Sequence, residues 1–258
     1  SLWFDEAALA VNILDRGFLG LLQPLSHNQV TPVGFLYVIK MFSLLGGVSE
    51  YSLRLFPFLC YLSSILMTYK IGKRLVDNRE YALAAGALYS IQFNAVYYAS
   101  ELKQYSCETL VALLLIYSFL GVLGNRNPRS YLKLFLISSL SFLFSFASVF
   151  ITPIGFLLLL IRSKKPFYVF KLGFICLCII GGIYFTIYHN HPSSDFMNSF
   201  WSKRLLPINP FSMPFYKFLL FEFGRGLSVL GFYGSYTLVT LSFILIGVRN
   251  LWLKGAHS

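Results

Sequence analysis

The stretch LRLFPFLCYLSSILMTYKIGKR, residues 53–74, is an apolar run that ends in a cluster of lysine and arginine. A bilayer core of roughly 30 Å needs about 20 apolar helical residues, and the run at 53–69 approaches that length. Basic residues directly after such a run are typical of a cytoplasmic loop. The stretch therefore predicts a membrane-spanning helix, and comparable apolar runs recur along the chain.

The composition extends this prediction to the whole chain. The 258 residues are 57% hydrophobic and 12% charged, whereas an average soluble domain has about a quarter charged residues. The apolar runs lack the alternating segments of about ten residues that mark a transmembrane barrel. The sequence predicts an all-α polytopic membrane protein with about seven transmembrane helices, and with interfacial helices in a first extracytoplasmic loop.

The apolar runs predict four parts of the chain. Residues 1–50 form the first extracytoplasmic loop, 51–188 the transmembrane bundle, 189–225 a second extracytoplasmic loop, and 226–258 a last transmembrane helix with a cytoplasmic end. The run at 33–48 is too short to span comfortably and carries Lys40 at its middle, which predicts an interfacial helix. The predicted spans lie at 53–69, 81–99, 107–124, 169–188 and 227–248, with a hairpin of two short spans within 134–161, broken at Pro153.

The net charge of +11 does not predict nucleic-acid binding, because the basic residues form clusters between apolar runs and not one patch. Counted by alternating loops, thirteen of the 21 basic residues fall on one side of the membrane, which the positive-inside rule makes cytoplasmic. The other side holds eight of the ten acidic residues. This topology predicts that Asp5, Glu6, Glu101 and Lys103 share one extracytoplasmic face with the 189–225 loop.

Two adjacent acids, Asp5 and Glu6, lie beside Trp3 and Phe4. Such a pair is also typical of a solvated loop, or of a helix N-terminus where acids offset the helix dipole. A carboxylate beside apolar surface has a raised proton affinity and can act as a general base. Asp5 and Glu6 are therefore candidate catalytic residues, and the structural interpretation stays open beside the catalytic one.

A second polar segment precedes the span at 107–124. Glu101, Tyr105 and Glu108 fall at helical spacings of four and three, which predicts that they share one helix face. Lys103 falls on a different face. This lysine is either a snorkelling residue at a helix end or a cation that holds a lipid phosphate.

The residues that bind metals in other proteins form no suggestive pattern here. The four cysteines lie within or at the ends of apolar runs and predict small core residues. His189 and His191 lack a third ligand at a typical spacing. A divalent metal ion stays an open cofactor without assigned ligands.

Four segments carry a family likeness, and they occur in a fixed order. They are Leu-Trp-Phe-Asp-Glu-Ala (2–7), Thr-Pro-Val-Gly-Phe-Leu-Tyr (31–37), Ser-Glu-Tyr-Ser-Leu-Arg-Leu (49–55) and Tyr-Ala-Ser-Glu-Leu-Lys-Gln-Tyr (98–105). Together they resemble bacterial membrane glycosyltransferases of the GT-C type, in the dolichyl-phosphate-mannose–protein mannosyltransferase-like group (glycosyltransferase family 39). The likeness covers about residues 1–110, and beyond that it rests on the helix pattern.

The resemblance implies that the seven or so helices form a GT-C-like bundle. It also implies an inverting enzyme of the bacterial inner membrane, with its site on the extracytoplasmic side. Such an enzyme moves a sugar from a polyprenyl-phosphate donor to a lipid, glycan or protein acceptor. Asp5 takes the role of catalytic base, and Glu6 and Glu101 are supporting acids or weak metal ligands. The resemblance and the residue types leave the following candidates for substrate binding, mainly through the lipid phosphate: Lys103, Tyr105, Arg54, His27, Lys40, Lys203, Arg204 and Arg225.

Two departures from the family pattern bear on these expectations. Ser1 stands in place of an initiator methionine and no apolar segment precedes the first loop, which predicts a fragment that begins after a first membrane helix. Lys103 stands where many relatives carry arginine. A phosphate there would meet a point charge and not a bidentate fork.

Other functional classes make different demands on the sequence. A lipid or glycan transporter predicts ionisable residues in mid-span and repeated halves, whereas these spans are nearly free of charge and no repeat is evident. An O-antigen polymerase or ligase also uses an extracytoplasmic loop, usually one rich in arginine. A non-enzymatic scaffold is the remaining alternative, and the glycosyltransferase is the leading hypothesis.

Overall fold

The computed structural model describes residues 1–124, 127–163, 165–189 and 211–229. Within these residues the regular structure is helical, without a β-strand. A 3₁₀ turn occupies Gly20–Leu22, and the ninth helix continues as a π-helical turn at Tyr184–Tyr188. The α-helices are α1 (Phe4–Asp15), α2 (Val33–Gly46), α3 (Glu50–Val76), α4 (Arg79–Ser90), α5 (Phe93–Ala99), α6 (Tyr105–Gly124), α7 (Pro128–Ser141), α8 (Ser148–Arg162), α9 (Pro166–Ile183) and α10 (Met213–Val229).

The chain divides into two units. The first contains Ser1–Ile91 and Ala95–Pro192, and the second contains Gln92–Asn94 and Ser193–Ser258. Helices α1–α4 and α6–α9 belong to the first unit, and α10 belongs to the second. All the contacts described below lie within the first unit.

Three of the described helices are long and apolar enough to cross a membrane: Glu50–Val76, Tyr105–Gly124 and Pro166–Tyr188. Each contains or closely matches a predicted span, and the chain is an integral membrane protein. The short α2 agrees with the predicted interfacial helix at 33–48 in its length. The count of about seven spans stays a prediction, because 230–258 lie outside the described residues.

The run at 81–99, predicted as one span, is divided between α4 and α5. Helix α4 has 12 residues and is about 18 Å long at 1.5 Å per residue, which is short of the bilayer core. The Tyr61 hydroxyl donates a hydrogen bond to the carbonyl oxygen of Ser90 at 2.6 Å. This bond satisfies a carbonyl that the end of α4 leaves without a helical partner.

The hairpin within 134–161 has its break elsewhere than predicted. Pro153 lies inside α8, and the chain leaves the helical path between Ser141 and Ser148. Pro153 is the sixth residue of α8, where it removes one helical hydrogen bond without ending the helix. Tertiary contacts fix the actual break, because the Phe146 N–H donates to the carboxylate of Glu108 in α6 at 3.2 Å.

The entry to α2 explains the glycine of the Thr-Pro-Val-Gly segment. The Gly34 N–H donates to the carbonyl oxygen of Leu143 at 2.7 Å, and the Val33 N–H donates to the Tyr188 hydroxyl at 2.8 Å. A Cβ atom on residue 34 would lie 2.7 Å from the Leu143 oxygen. Glycine permits this close approach, which holds the start of α2 against the helices that follow α6.

The core of the first unit lies around α3 and α6. Helix α3 packs against α2, α4 and α6, and α6 also packs against α7 and α8. Leu9 and Ile13 of α1 are fully buried in the same cluster as Phe35 and Ile39 of α2 and Leu115 of α6. Helix α1 is therefore anchored by its apolar face, which fixes where its first turn lies.

Helix α10 lies partly within the segment 189–225 that was predicted as a loop. It begins at Met213, before the last span predicted from residue 227. The apolar run Phe-Leu-Leu-Phe at 218–221 is consistent with a helix there.

Candidate active site

The carboxylate of Glu6 is buried and joins three segments of the chain. Its Oε2 accepts a hydrogen bond from the Trp3 N–H at 3.0 Å, which satisfies a free donor at the start of α1. The Arg54 guanidinium donates to both oxygens, at 3.2 Å to Oε1 and 2.7 Å to Oε2. The Leu102 N–H, in the turn before α6, also donates to Oε1. Glu6 thus ties together α1, α3 and the turn at 100–104.

Arg54 lies in the second turn of α3, where a local cap fixes the helix start. The Ser49 side chain accepts a hydrogen bond from the Ser52 N–H at 3.1 Å, which is a standard N-cap. Glu50 lies one turn before Arg54, and its Oε2 is 3.5 Å from Arg54 Nη1. Glu6 and Glu50 both form ion pairs with the Arg54 guanidinium, so its positive charge is neutralised within the protein.

The environment of Glu6 determines its charge state. Burial alone would raise the pKa of Glu6, because an ionised carboxylate loses its hydration. Hydrogen bonds from Arg54 and from the N–H groups of Leu102 and Trp3 outweigh burial and hold the pKa below the ordinary value of 4.5. Glu6 is ionised at neutral pH with donors on both oxygens, which fits a positioning role better than the predicted catalytic one.

Asp5 differs from its neighbour in being open to solvent. Its side chain is 67% exposed, and its Oδ2 lies 3.5 Å from the Nζ of Lys103, whose side chain is 17% exposed. An ion pair of this length with an exposed partner is weak, so either group can exchange the other for a ligand. Asp5 is therefore a carboxylate that a substrate can reach.

Glu101 does not share a helix face with Tyr105 and Glu108, and this prediction is wrong. Helix α6 begins at Tyr105, so Glu101 lies in the preceding turn and outside the helical spacing. The Tyr97 hydroxyl hydrogen-bonds with the Glu101 carboxylate, while Glu108 accepts the Phe146 N–H in the bundle. Glu101 belongs with the residues around the turn at 100–104, and Glu108 belongs with the hairpin.

Two tyrosines without a predicted role lie beside this turn. The ring centroids of Tyr98 and Tyr105 are 4.6 Å apart, and those of Tyr97 and Tyr98 are 5.2 Å apart. Because the Tyr97 hydroxyl bonds Glu101, the three rings lie beside an acid of the turn at 100–104. The signal in the sequence was the place of Tyr98 in the segment at 98–105 that carries the family likeness.

A cleft of about 680 Å³ opens beside Arg54. This volume is in the range of about 300–1,000 Å³ that small-molecule sites occupy. The lining combines apolar side chains with a few polar ones at the start of α3, which suits an amphiphilic molecule. The lining residues are Ser49, Glu50, Tyr51, Arg54, Leu55, Phe58, Ala99 and Ser100.

Lys40 and His27 lie toward the other end of α1. The Lys40 Nζ donates to the carbonyl oxygen of Leu14 at 3.0 Å, near the C-terminus of α1, where a cation is favourable. The Ser26 N–H donates to the Asn12 side chain at 2.8 Å, so His27 is also held toward that half of α1. The structure does not bring these two residues to the Asp5 cluster.

Three predicted substrate-binding residues come from the second extracytoplasmic loop. Lys203 and Arg204 lie outside the described residues, and so does the side chain of Arg225. Their roles stay predictions.

The described part of the chain contains no group of three or more His, Cys, Asp or Glu side chains placed to hold a metal ion. Glu6, considered as a weak metal ligand, has N–H donors on both oxygens. Cys60, Cys107 and Cys176 are buried in the helix bundle, as predicted for small core residues. Cys178 is exposed, so the prediction is wrong for this fourth cysteine.

Residues 30–184 match the family model of the dolichyl-phosphate-mannose-protein mannosyltransferases. This match covers more than half of the chain, and the chain belongs to that family. Membership implies a membrane glycosyltransferase that uses a polyprenyl-phosphate-linked sugar donor. No curated protein and no solved structure matches the chain.

The match confirms the family resemblance and extends it beyond residue 110. Arg54, Glu101, Lys103 and Tyr105 lie within the matched residues, whereas Asp5 and Glu6 precede them. The roles of these two acids therefore rest on their contacts.

The contacts of Glu6 predict how stability depends on pH. In Glu6→Gln an amide N–H₂ would face the Arg54 or backbone donors, so we expect a loss of about 1.5–3 kcal/mol in the free energy of unfolding at neutral pH. Because the folded-state pKa of Glu6 is lowered, its contribution is complete above its unfolded-state pKa and is lost as the pH falls through the folded-state pKa. The gap between wild type and variant, measured by unfolding in detergent, should therefore narrow as the pH is lowered from neutral through 4.5 and below.

Glu50→Gln is the matched control, because Glu50 also faces Arg54 but its side chain is 46% exposed. We expect this control to change stability by about 0.5 kcal/mol or less. A gap for Glu6→Gln that stays constant over the same pH range would contradict the assigned role of the ionised carboxylate.

Proposed function

We propose that the chain is an inverting glycosyltransferase in which Asp5 is the general base. The observation that carries this proposal is the contrast between the two adjacent acids. Glu6 is buried with donors on both oxygens, whereas Asp5 is exposed beside Lys103. A base must come within hydrogen-bond reach of the proton that it accepts, and the exposure of Asp5 supports this role.

In the proposed reaction, Asp5 accepts the proton of an acceptor hydroxyl or amine. The acceptor atom attacks the anomeric carbon of the sugar from the side opposite the phosphate. The bond between the anomeric carbon and the phosphate oxygen breaks, and its electron pair leaves with the polyprenyl phosphate. This direct displacement inverts the anomeric configuration, and the proton passes from Asp5 to solvent.

Among the described cations, Lys103 suits the leaving phosphate best. The charge of Arg54 is already offset by Glu6 and Glu50, and Lys40 is bonded near the far end of α1. The long contact between Lys103 and Asp5 is easily exchanged, and an ammonium can stabilise the negative charge that develops on the phosphate. When Lys103 turns to the phosphate, Asp5 becomes free to accept a proton. Arg54 then acts as a positioning residue.

The cleft beside Arg54 supports the entry of a lipid donor. Leu55 and Phe58 form its apolar wall, and both lie on α3, one of the candidate membrane spans. Both side chains are partly exposed on that helix. We assign this wall to the first isoprene units of the carrier, because an apolar chain would lie there within the bilayer.

We place the reaction on the extracytoplasmic side of the bacterial inner membrane. The contacts of Glu6 with Arg54 and Leu102 bring the first loop, the start of α3 and the turn at 100–104 to one end of the first unit. The clusters of lysine and arginine fall in the loops predicted for the opposite side. The positive-inside rule makes that opposite side cytoplasmic.

The first test is sugar transfer by Asp5→Asn in membranes from cells that express the full-length gene. Asparagine keeps the size of the side chain but accepts no proton, so we expect the rate to fall by about 100-fold or more. The assay measures how fast radiolabelled mannose, glucose or arabinose passes from its polyprenyl-phosphate carrier into product.

Asp15→Asn is the matched control, because Asp15 is an exposed acid at the other end of the same helix. We expect it to transfer sugar at the wild-type rate. Full turnover by Asp5→Asn, in protein with wild-type thermal stability, would remove Asp5 as the base.

The second test is topology, measured with a membrane-impermeant thiol reagent on intact cells. His27→Cys should react from outside, and Arg129→Cys only after permeabilisation, because the first loop and the basic loop before α7 are assigned to opposite sides. The background would carry Cys178→Ser, since Cys178 is exposed. Reaction of Arg129→Cys in intact cells would overturn the assigned side.

A further inference from the structure

Tyr97, Tyr98 and Tyr105 form a continuous row of rings, which we name the tyrosine row. Tyr98 lies in the middle, with centroid distances of 5.2 Å to Tyr97 and 4.6 Å to Tyr105 and interplanar angles of 71° and 55°. The outer members, Tyr97 and Tyr105, are 40% and 43% exposed. The row therefore presents aromatic surface to a ligand and not only to the protein core.

The tyrosine row is flanked by carboxylates and by the proposed phosphate cation. Tyr97 hydrogen-bonds with Glu101, and Glu101 lies next to Leu102, whose N–H donates to Glu6. Lys103 lies between Glu101 and Tyr105 in the chain and contacts Asp5 at 3.5 Å. Aromatic surface, hydrogen-bond acceptors and a cation thus lie at or beside the turn at 100–104.

This combination matches the chemistry of a sugar ring. One face of a pyranose presents mainly C–H groups, which pack on an aromatic face, while its hydroxyls need hydrogen-bond acceptors at the edge. Tyrosine provides both an apolar ring and a polar end. Ligand sites are typically built in this way, from aromatic walls with a few placed polar groups.

A membrane-interface belt is the competing explanation, because tyrosine is enriched where bilayer and water meet. Belt residues need no common partner and anchor to the headgroup region individually. Here the three rings contact one another, and one of them is bonded to an acid of the proposed site. We propose that the tyrosine row binds the sugar of the polyprenyl-phosphate donor, with Glu101 accepting hydrogen bonds from its hydroxyls.

This inference rests on the proposed function, because it assigns the sugar subsite of the same reaction. The two proposals concern different groups of the donor. Lys103 and the cleft bind the phosphate and the lipid, and the tyrosine row binds only the sugar. The two therefore make separate predictions for a donor with and without its sugar.

The experiment compares the binding of polyprenyl phosphate with that of polyprenyl-phosphate-linked mannose, glucose or arabinose to the full chain in detergent. In Tyr97→Leu and Tyr98→Leu we expect the affinity for the sugar-linked donor to fall about 3- to 10-fold. The affinity for the sugar-free carrier should change by less than about twofold. Tyr98→Phe keeps the ring and should retain most of the affinity for the sugar-linked donor.

Tyr81→Leu is the control, because Tyr81 is an exposed tyrosine near the start of α4 and should leave both affinities unchanged. Tyr97 is partly exposed, so its variant tests the proposal even if Tyr98→Leu does not fold. Equal losses of affinity for both ligands, or no loss for either, would overturn the sugar subsite. The proposed function would not be contradicted by that result. Absence of transfer by the wild type would instead contradict the proposed function and this inference with it.

Discussion

A buried carboxylate costs free energy unless N–H groups surround its oxygens, and Glu6 meets this condition with donors from three segments. Its own helix supplies the Trp3 N–H, α3 supplies the Arg54 guanidinium, and the turn before α6 supplies the Leu102 N–H. Loss of any one donor would leave ionised groups unsatisfied in the interior. The first turn of α1 is thereby held to the start of α3 and to the turn before α6.

This constraint gives two neighbouring acids different tasks. Residues i and i+1 of a helix do not face each other, so the burial of Glu6 directs Asp5 away from the interior and toward Lys103. The buried pair of Glu6 and Arg54 thus sets the position of the exposed Asp5 carboxylate. The turn that contains Leu102 also carries Glu101 and Lys103, so the same hydrogen bond orders the second group of site residues.

Periodicity, composition and segment order predicted the coarse features of this protein from its sequence. The long apolar runs predicted the membrane helices, and four ordered segments predicted the family that the match at 30–184 confirms. The predicted position of the hairpin break, at Pro153, was wrong. Tertiary contacts between Phe146 and Glu108 and between Leu143 and Gly34 determine the break, and the proline does not.

The site was less predictable, because residue type does not show which partner a charge will find. The substrate-binding roles of Arg54 and Lys40 stay predictions. Their residue types did not show that Arg54 contacts two carboxylates or that Lys40 bonds the end of α1. The helical spacing of Glu101 failed because α6 begins after it. Tyr97 and Tyr98 had no special spacing, and only the folded turn brings their rings to Tyr105.

The most direct test of the account is a double-mutant cycle of Glu6→Gln and Arg54→Gln, with kcat/KM for sugar transfer as the readout. If the two side chains together hold Asp5 in place, either single variant removes most of the contribution of the pair to kcat/KM. The kcat/KM of the double variant should then be only a little below that of the slower single variant. If the two effects multiply, each residue acts on the reaction independently, and the claim that the buried pair positions the base is contradicted.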